Sequence, residues 1–324
     1  MRVPRICLSL AVISSLGLST PASADLAFIT VDVAGTDSTA LEGINDDGTS
    51  VGSASTSGFS EGFIRNSVGV ITRFNVFGGF STYAKGVNNA GTVTGYFNTG
   101  GNTFGYYREV NGTVIPFSVP GSVSTFANGI NDNGFIVGTY SMIPGLDFHG
   151  FVRAPDGTFA TFDVPGALWT FGEGINSNGE VVGNFFDGFA LRAFTVTPAG
   201  FFNVLSVPNS DTTLSGGLNN LGTVVGSSLT GASSSGGPFF FSLGFVGPGT
   251  GPYTTFTVPG SVSTYAEGIN NAGVIVGSYT TITGASRGFI AVPEPHPFML
   301  CGGLLALSAL VQSLRTRWSA VSRR

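Results

Sequence analysis

One sequence unit is written six times along this chain, and that repetition constrains the fold more than any other feature. The core pattern is Gly-Ile-Asn-x-x-Gly-x-Val-Val-Gly with variations, and its first glycine recurs at intervals of 43, 43, 45, 43 and 51 residues. Self-similarity at a fixed period of this length is typical of solenoids and propellers. The six first glycines are Gly43, Gly86, Gly129, Gly174, Gly217 and Gly268.

Each copy contains four short extended segments. The first ends in a turn such as Val164-Pro165-Gly166, the second enters Gly-Ile-Asn, the third contains Val-Val-Gly, and the fourth carries an aromatic residue, as at Gly150-Phe151. Asn-x-x-Gly predicts a hairpin loop, because Asn favours the first turn position and Gly supplies a positive φ. The fifth copy is longer, which we attribute to an insertion from Ser233 to Pro252.

Four strands per copy, about 43 residues per copy and six copies predict an all-β, six-bladed β-propeller over residues 25–291. The body begins with a first-type segment at residues 28–35 and ends with a fourth-type segment at 288–292. The N-terminal strand could therefore complete the last blade and remove an open edge. The alternative is an open β-solenoid, whose coils are usually shorter.

Charge and cysteine content narrow the possible partners. Residues 25–291 contain seven basic and 17 acidic side chains, a net charge of −10, because the remaining arginines lie at the two ends. An acidic body argues against nucleic acid, which needs a basic footprint. Both cysteines, Cys7 and Cys301, lie in apolar end segments, so the body has no disulfide and no thiol chemistry.

The first 24 residues predict a secretory signal peptide. A basic start with Arg2 and Arg5 precedes an apolar run, and Ala22-Ser23-Ala24 then supplies small residues for cleavage before Asp25. The alternative is a membrane anchor, for which the apolar run is short.

The last 33 residues, 292–324, have three parts in a fixed order. Val292, Pro293, Glu294 and Pro295 form a short motif, residues 298–314 are mostly apolar, and four arginines follow. The apolar part predicts a short transmembrane helix whose basic end stays in the cytoplasm. These parts resemble the PEP-CTERM sorting signal; the alternative is an ordinary tail anchor.

The PEP-CTERM resemblance implies processing by signal peptidase and an exosortase-type enzyme, transient membrane anchoring through residues 298–314, and delivery to the cell surface or an exopolysaccharide matrix. The repeat also resembles the HAF-type extracellular repeats, which have a Gly-x-Asn-x-x-Gly-x-x-x-Gly core followed by an aromatic segment. Gly150-Phe151 stands where that family has Ala-Phe, and Ala193-Phe194 matches directly. This second resemblance implies no defined activity.

The residue before each Gly-Ile-Asn is the most informative variable position. In a ring, these residues occupy equivalent radial positions and could face the channel, where propellers often bind ligands. The alternative is scattered exposure to solvent. We therefore predict a cation or sugar site at Glu42, Lys85, Asn128, Glu173 and Glu267; Gly216 stands at this position in copy five.

Other candidate sites have simpler interpretations. His149 has no cysteine partner and is interpreted as a surface or loop residue. Asp147, Glu173, Glu180 and Asp187 could pair for glycoside hydrolysis, but the sequence does not show that they converge. The loop at Asn45-Asp46-Asp47-Gly48 resembles part of a calcium loop, and several other copies lack its carboxylates, so a turn is favoured. We predict no metal and no cofactor.

Aromatic residues recur once per copy at Phe63, Tyr106, Phe151, Phe194 and Phe289 and predict packing between blades; sugar stacking is the alternative. The main functional expectation is an exported surface or matrix protein with a structural or binding role, possible engagement of exopolysaccharide, and no catalysis. The alternative is a secreted carbohydrate-active enzyme, a glycosidase or lyase, on a propeller scaffold. Carboxylates that converge on one pocket would favour the enzyme.

Overall fold

The computed structural model describes residues 26–76, 78–232 and 239–294, and these residues form an all-β structure without helices. The strands are β1 (Leu26–Val31), β2 (Ser38–Ile44), β3 (Ser50–Thr56), β4 (Phe59–Arg65), β5 (Ile71–Phe74), β6 (Ser81–Val87), β7 (Val93–Asn98), β8 (Thr103–Arg108), β9 (Val114–Phe117), β10 (Ser124–Ile130), β11 (Ile136–Ile143), β12 (Leu146–Arg153), β13 (Phe159–Phe162), β14 (Trp169–Ile175), β15 (Val181–Phe186), β16 (Leu191–Val196), β17 (Phe202–Leu205), β18 (Thr212–Leu218), β19 (Thr223–Ala232), β20 (Phe239–Pro248), β21 (Thr254–Phe256), β22 (Ser261–Ile269), β23 (Ile275–Thr281) and β24 (Ser286–Pro293).

Antiparallel pairing groups these strands into six four-stranded units, one per sequence repeat. Units 1 to 5 are β2–β5, β6–β9, β10–β13, β14–β17 and β18–β21 in order. Unit 6 contains β22, β23 and β24, and the N-terminal strand β1 supplies its fourth strand by pairing Leu26 with Pro293 through Val31 with Gly288. The predicted closure by the N-terminal strand is therefore present.

The first strands of the six units meet around a common axis. A Cβ atom on Gly43 would lie 2.8 Å from the carbonyl oxygen of Lys85, and one on Gly268 would lie 2.9 Å from the carbonyl oxygen of Glu42. Unit 6 therefore contacts unit 1 as closely as unit 1 contacts unit 2, which only glycine permits. The arrangement is a closed, propeller-like ring, and the open solenoid is excluded.

The core lies between neighbouring units. One aromatic side chain per unit is completely buried: Phe63, Tyr106, Phe151, Phe194, Phe245 and Phe289. A Cβ atom on Gly138 would lie 2.8 Å from the Phe151 ring, so the third glycine of the repeat gives this ring its space. The packing interpretation of these aromatics is confirmed. Phe245 is the corresponding residue of unit 5, which was not predicted because the fifth copy is longer.

The structure corrects the predicted insertion in copy five. Residues Phe239–Pro248 are not an inserted loop but the third strand of unit 5, which pairs with β19 over ten residue pairs. Part of the extra length therefore lies in the two longer strands, β19 and β20, and in the turn that follows β20. Residues 233–238, the first part of the predicted insertion, lie outside the described residues.

The two ends of the chain were predicted to carry addressing segments. Residues 1–24 and 295–324, including the predicted transmembrane helix and Pro295, lie outside the described residues. Val292 and Pro293 lie inside β24, and Glu294 follows it. Within the described ranges, no helix is long and apolar enough to cross a membrane.

Candidate functional site

The variable residue of each repeat points toward the axis, as the ring hypothesis predicts. Glu42, Lys85, Asn128, Glu173, Gly216 and Glu267 all line one axial cavity of about 80 Å³, together with the first glycines and the apolar residues that follow them. We call this end of the axis the variable end. The structure thus brings together every residue of the predicted ligand site; the binding role itself stays a prediction.

A β-bulge in each first strand explains why these side chains face the axis. In unit 1, Leu41 opposes Gly52 and Gly43 opposes Val51, so Glu42 has no partner on β3. The same shift occurs in the other five units, always at the variable residue. A bulge adds one residue to a strand and re-aims its side chain, so the backbone builds this ring regardless of residue type.

Polar contacts organise one side of the ring. Lys85 Nζ donates a hydrogen bond to Glu42 Oε2 at 2.7 Å, with 21% and 14% of these side chains exposed. Asn128 Nδ2 donates to the carbonyl oxygen of Gly172 at 2.8 Å. Glu173 has one weak contact, from Asn184 Nδ2 at 3.5 Å. The ring therefore contains one ion pair and further carboxyls without a salt-bridge partner of their own.

Two of the ring carboxyls titrate close to neutrality. Burial raises the pKa of Glu173 to about 7, while Lys85 and Asn184 oppose the rise. Burial and then the neighbouring Glu42 raise the pKa of Glu267 to about 7. Burial lowers the pKa of Lys85, but Glu42 and more distant groups outweigh it, so this pKa lies above its ordinary value and the amine stays charged. Perturbed carboxyls that share a cavity are typical of acid–base sites.

Gly216 separates Glu173 from Glu267 in the ring. A Cβ atom at Gly216 would lie 2.3 Å from the carbonyl oxygen of Ala266 and 2.7 Å from Glu267 Cα, so no side chain fits there. The two carboxyls with raised pKa values therefore flank a position without a side chain, where the backbones of units 5 and 6 approach closely.

A second cavity of about 260 Å³ opens beside the variable end. Lys85, Asn128 and Glu173 line both cavities, so the two spaces share one polar wall. The rest of the second cavity is formed by Tyr96, Phe126, Thr139, Phe148 and Phe171, and we call it the aromatic cavity. Its ring pairs are close: Tyr96 and Phe126 have centroids 5.0 Å apart, and Phe148 and Phe171 have centroids 5.2 Å apart.

One wall residue of the aromatic cavity has an unused polar atom. Thr139 is 3% exposed, and among the described residues its Oγ1 has no hydrogen-bond partner. Such a buried hydroxyl is costly unless something satisfies it, and bound ligands are one means of doing so. The aromatic cavity was not predicted from the sequence, because its four aromatic residues come from three different repeat positions, and none of these positions is aromatic in every unit.

The opposite end of the axis, which we call the asparagine end, is built from one repeated interaction. The Asn of each Gly-Ile-Asn is buried, its Nδ2 donates to the backbone oxygen of the next unit's Asn, and its Oδ1 accepts from the backbone four residues later. These Nδ2 bonds measure 2.9 to 3.3 Å and run from Asn45 to Asn88, Asn131, Asn176, Asn219, Asn270 and back to Asn45.

Other sequence candidates lie away from the variable end. Asp147 accepts hydrogen bonds from its own hairpin, Glu180 accepts one from Asn176 at the asparagine end, and Asp187 pairs with Arg192 at 2.7 Å. Of the four carboxylates considered for glycoside hydrolysis, only Glu173 lines the cavities. His149 Nδ1 contacts Asp163 at 3.0 Å in a half-buried strand position. Asp46 belongs to the loop network, where its carboxylate accepts from Asn89 and Asn271.

Comparisons with known proteins identify the fold. No family model matches the chain, and a search of curated proteins finds no match. Among solved structures, a protein described as TolB from Agrobacterium tumefaciens is 11% identical over 79% of this chain and 91% of its own, with a TM-score of 0.53. A gluconolactonase from Xanthomonas campestris is 14% identical over 84% and 90%, with a TM-score of 0.51. A streptogramin B lyase reaches a TM-score of 0.49 at 13% identity over 82% and 97%.

These comparisons contradict the prediction of a structural or binding role without catalysis. Solved structures with this fold include an enzyme, the gluconolactonase, so the expectation that the chain is not an enzyme loses its basis. The prediction's alternative, an enzyme on a propeller scaffold, is better supported. At these identities the likeness extends to the fold alone, so any activity has to be argued from the site itself.

Proposed function

We propose that this chain is a carbohydrate-active hydrolase whose reaction takes place at the variable end, with Glu173 as general acid and Glu267 as general base. One observation carries the proposal: the carboxyl of Glu173, with a pKa of about 7, lines both the axial and the aromatic cavity. A carboxyl in that position can contact a substrate in the aromatic cavity and water in the axial cavity.

The proposed chemistry needs one protonated and one ionised carboxyl. With both pKa values at about 7, a large fraction of molecules holds one proton on the pair near neutral pH. Glu173 gives its proton to the glycosidic oxygen as the bond from that oxygen to the anomeric carbon breaks. Glu267 takes a proton from water as the water oxygen bonds to the anomeric carbon. One water is consumed, and proton exchange with solvent restores the pair.

The two cavities match these two reactants. The axial cavity of about 80 Å³ has room for a few water molecules between Glu173 and Glu267. The aromatic cavity of about 260 Å³ is near the lower end of the range for small-ligand sites and is lined by four aromatic side chains on which a sugar could pack. Asn128 and Thr139 add polar groups for hydroxyls.

Charge favours hydrolysis over elimination from an acidic sugar. A lyase of that kind must hold the substrate carboxylate beside a cation, and Lys85, the cation that lines the aromatic cavity, is already paired with Glu42. Ionised Glu173 and Glu267 would repel an anionic substrate. A neutral or cationic sugar faces no such penalty.

The proposal includes the wider setting that the sequence predicts. The six units are taken as the six blades of one propeller closed by β1. Residues 1–24 direct export, and residues 292–324 act as a PEP-CTERM-type sorting signal with a transmembrane helix, processed by an exosortase-type enzyme. The substrate is then a polysaccharide at the cell surface or in the matrix.

The proposal is tested by incubating the full chain with neutral, amino-bearing and uronate polysaccharides. New reducing ends without ultraviolet absorbance of unsaturated products support hydrolysis, and both signals together would indicate elimination instead. Glu173→Gln should abolish the cleavage, whereas Glu109→Gln, at an exposed carboxyl that lines neither cavity, should not. Equal activity in Glu173→Gln and the native chain would refute the proposal.

A further inference from the structure

The aromatic cavity combines features that select for charge as well as shape. Tyr96, Phe126, Phe148 and Phe171 contribute four aromatic side chains, all half-buried, to a single small space. Aromatic rings attract cations through their negative faces, and groups of them around one space are the usual means of binding ammonium ions. A sugar packs a single apolar face against aromatic rings, and this does not require four rings around a space of about 260 Å³.

The polar residues of the cavity supply acceptors for a cation. The Glu173 carboxyl lines the wall, and its contact with Asn184 Nδ2, at 3.5 Å, is long. Thr139 lines the same wall, and among the described residues its buried Oγ1 has no hydrogen-bond partner. The amide of Asn128 donates to Gly172, which leaves its oxygen free to accept.

The positive charge of Lys85 at this wall does not exclude a cationic ligand. Lys85 Nζ lies 2.7 Å from Glu42 Oε2, so these two charges sum to zero, although the Lys85 charge still lowers the pKa of Glu173 and Glu267. Around it, the ring carries two more carboxyls, Glu173 and Glu267, which form no salt bridge with any residue that the structure describes. When either ionises, the net charge of the variable end becomes negative, which favours a positive ligand and disfavours a negative one.

We propose that the aromatic cavity binds a positively charged ammonium group, and that the sugar it accepts is an amino sugar whose amine is free rather than acetylated. The identity of the substrate rests on the proposed function, whereas the binding of an ammonium ion does not. An acetylated amine has no charge to place among the rings. A uronate would put its carboxylate beside Glu173.

Binding depends on the ionisation of Glu173, so it depends on pH. The groups that act on Glu173 are Lys85, Glu42 and Asn184; Glu267 shares its cavity and Tyr96 lies on the adjoining wall. Because the pKa of Glu173 is about 7, its carboxylate forms as the pH rises through that value. The affinity for a permanently charged ammonium should therefore increase from pH 6 to pH 8. The proposed general-acid step needs protonated Glu173, so cleavage of an amino sugar should decline with rising pH while its binding strengthens.

Choline is a suitable first probe, since its charge does not change with pH. Its neutral isostere, in which carbon replaces the ammonium nitrogen, is the matched control. Calorimetric titration of the full chain should show choline binding at least about tenfold more tightly than the isostere at pH 8. Equal affinity for the two compounds, or binding of neither, overturns the proposal.

Variants locate the site. Glu173→Gln should weaken choline binding roughly tenfold and remove its pH dependence, and Phe171→Ala should weaken it roughly fivefold. The controls are Glu109→Gln and Phe201→Ala, because both residues are exposed and neither lines the cavity. If the controls lose as much affinity as the site variants, choline binds elsewhere and the proposal fails.

Oligosaccharides then separate this inference from the proposed hydrolase. A glucosamine trimer should bind at least about tenfold more tightly than its acetylated counterpart near neutral pH. Cleavage of neutral polymers without preference for free amines would overturn the inference and leave the hydrolase standing. Binding of choline and the glucosamine trimer without cleavage of any polymer would support the inference and overturn the hydrolase.

Discussion

The two ends of the axis are built by the same strands but follow opposite rules. At the asparagine end, all six units contribute the same side chain, and every one of these asparagines closes a hydrogen bond to its neighbour. At the variable end, three residues earlier in each repeat, six units contribute four residue types that contact one another unevenly. A position that closes the ring requires the same residue in every unit, whereas a position that binds a ligand requires different residues in different units.

The largest expected effect is on activity at the variable end. Glu173→Gln keeps the shape of the side chain but cannot donate the proton, so kcat should fall at least about 100-fold. The denaturant midpoint should stay equal to or above that of the native chain, because an amide is cheaper to bury than a carboxylate. Steady-state kinetics and urea unfolding check both statements. If the variant lost stability as well as activity, Glu173 would be needed for folding, and the variable end would not differ from the asparagine end.

The next largest effect is on stability at the asparagine end of the same unit. Asn176 accepts from the backbone of Asn178 and Glu180 and donates to the carbonyl oxygen of Asn219 at 3.3 Å. Asn176→Ala removes the acceptor of the Asn178 and Glu180 N–H groups and the bond to unit 5, although Gly222 N still donates to the carbonyl oxygen of Asn219 at 3.2 Å. The free energy of unfolding should therefore fall by about 2 kcal/mol. Asn178→Ala, an exposed residue of the same loop, should cost less than about 0.5 kcal/mol in the same urea titration. Equal losses would show that the ring of asparagines is not what holds the units together.

A third effect concerns the pH dependence of stability. Glu173 and Glu267 have pKa values raised from 4.5 to about 7, so the folded state holds their protons more tightly than the unfolded state. The stabilisation is complete below pH 4.5 and is lost as the pH rises to about 7. The free energy of unfolding of the native chain should therefore fall as the pH rises over this range.

A double variant isolates that slope. Glu173→Gln combined with Glu267→Gln should flatten the unfolding free energy between pH 4.5 and 7. Asp187, whose hydrogen bond with Arg192 and bonds from Ala190 and Phe189 lower its pKa to about 2, affects stability only at more acidic pH and serves as an internal reference. An unchanged slope in the double variant would place the titrating groups elsewhere.

Much of the scaffold follows from the sequence because its signals are local and repeated six times. Glycine at fixed offsets and one buried aromatic per copy predict the strands, the turns and the core. The radial placement of Glu42 and its counterparts follows as well, once a ring is assumed. The bulge that aims Glu42 at the axis was not predicted, because a one-residue shift in pairing leaves no separate mark in a single strand.

The aromatic cavity, in contrast, could not be predicted from the sequence. Tyr96 comes from β7, Phe148 from β12 and Phe171 from β14, and each looks like an ordinary strand aromatic by itself. Their convergence depends on how units 2, 3 and 4 pack, which is a tertiary property. A partial signal was present: at three residues before the first glycine, the copies read Ala40, Tyr83, Phe126, Phe171, Leu214 and Tyr265. Two of the four aromatics at this position, Phe126 and Phe171, line the cavity.

The smallest expected effect tests whether the ring residues act on one another. Lys85 lowers the pKa of both Glu173 and Glu267 through its charge, so removing that charge should raise both. Lys85→Gln should therefore move the pH optimum of kcat upward, with no change in the asparagine end. Arg192→Gln breaks the exposed ion pair with Asp187 and should leave the optimum where it is. A shift to lower pH in Lys85→Gln would mean that Glu173 and Glu267 do not set the profile. The variable end would then be a set of independent side chains rather than one electrostatic unit.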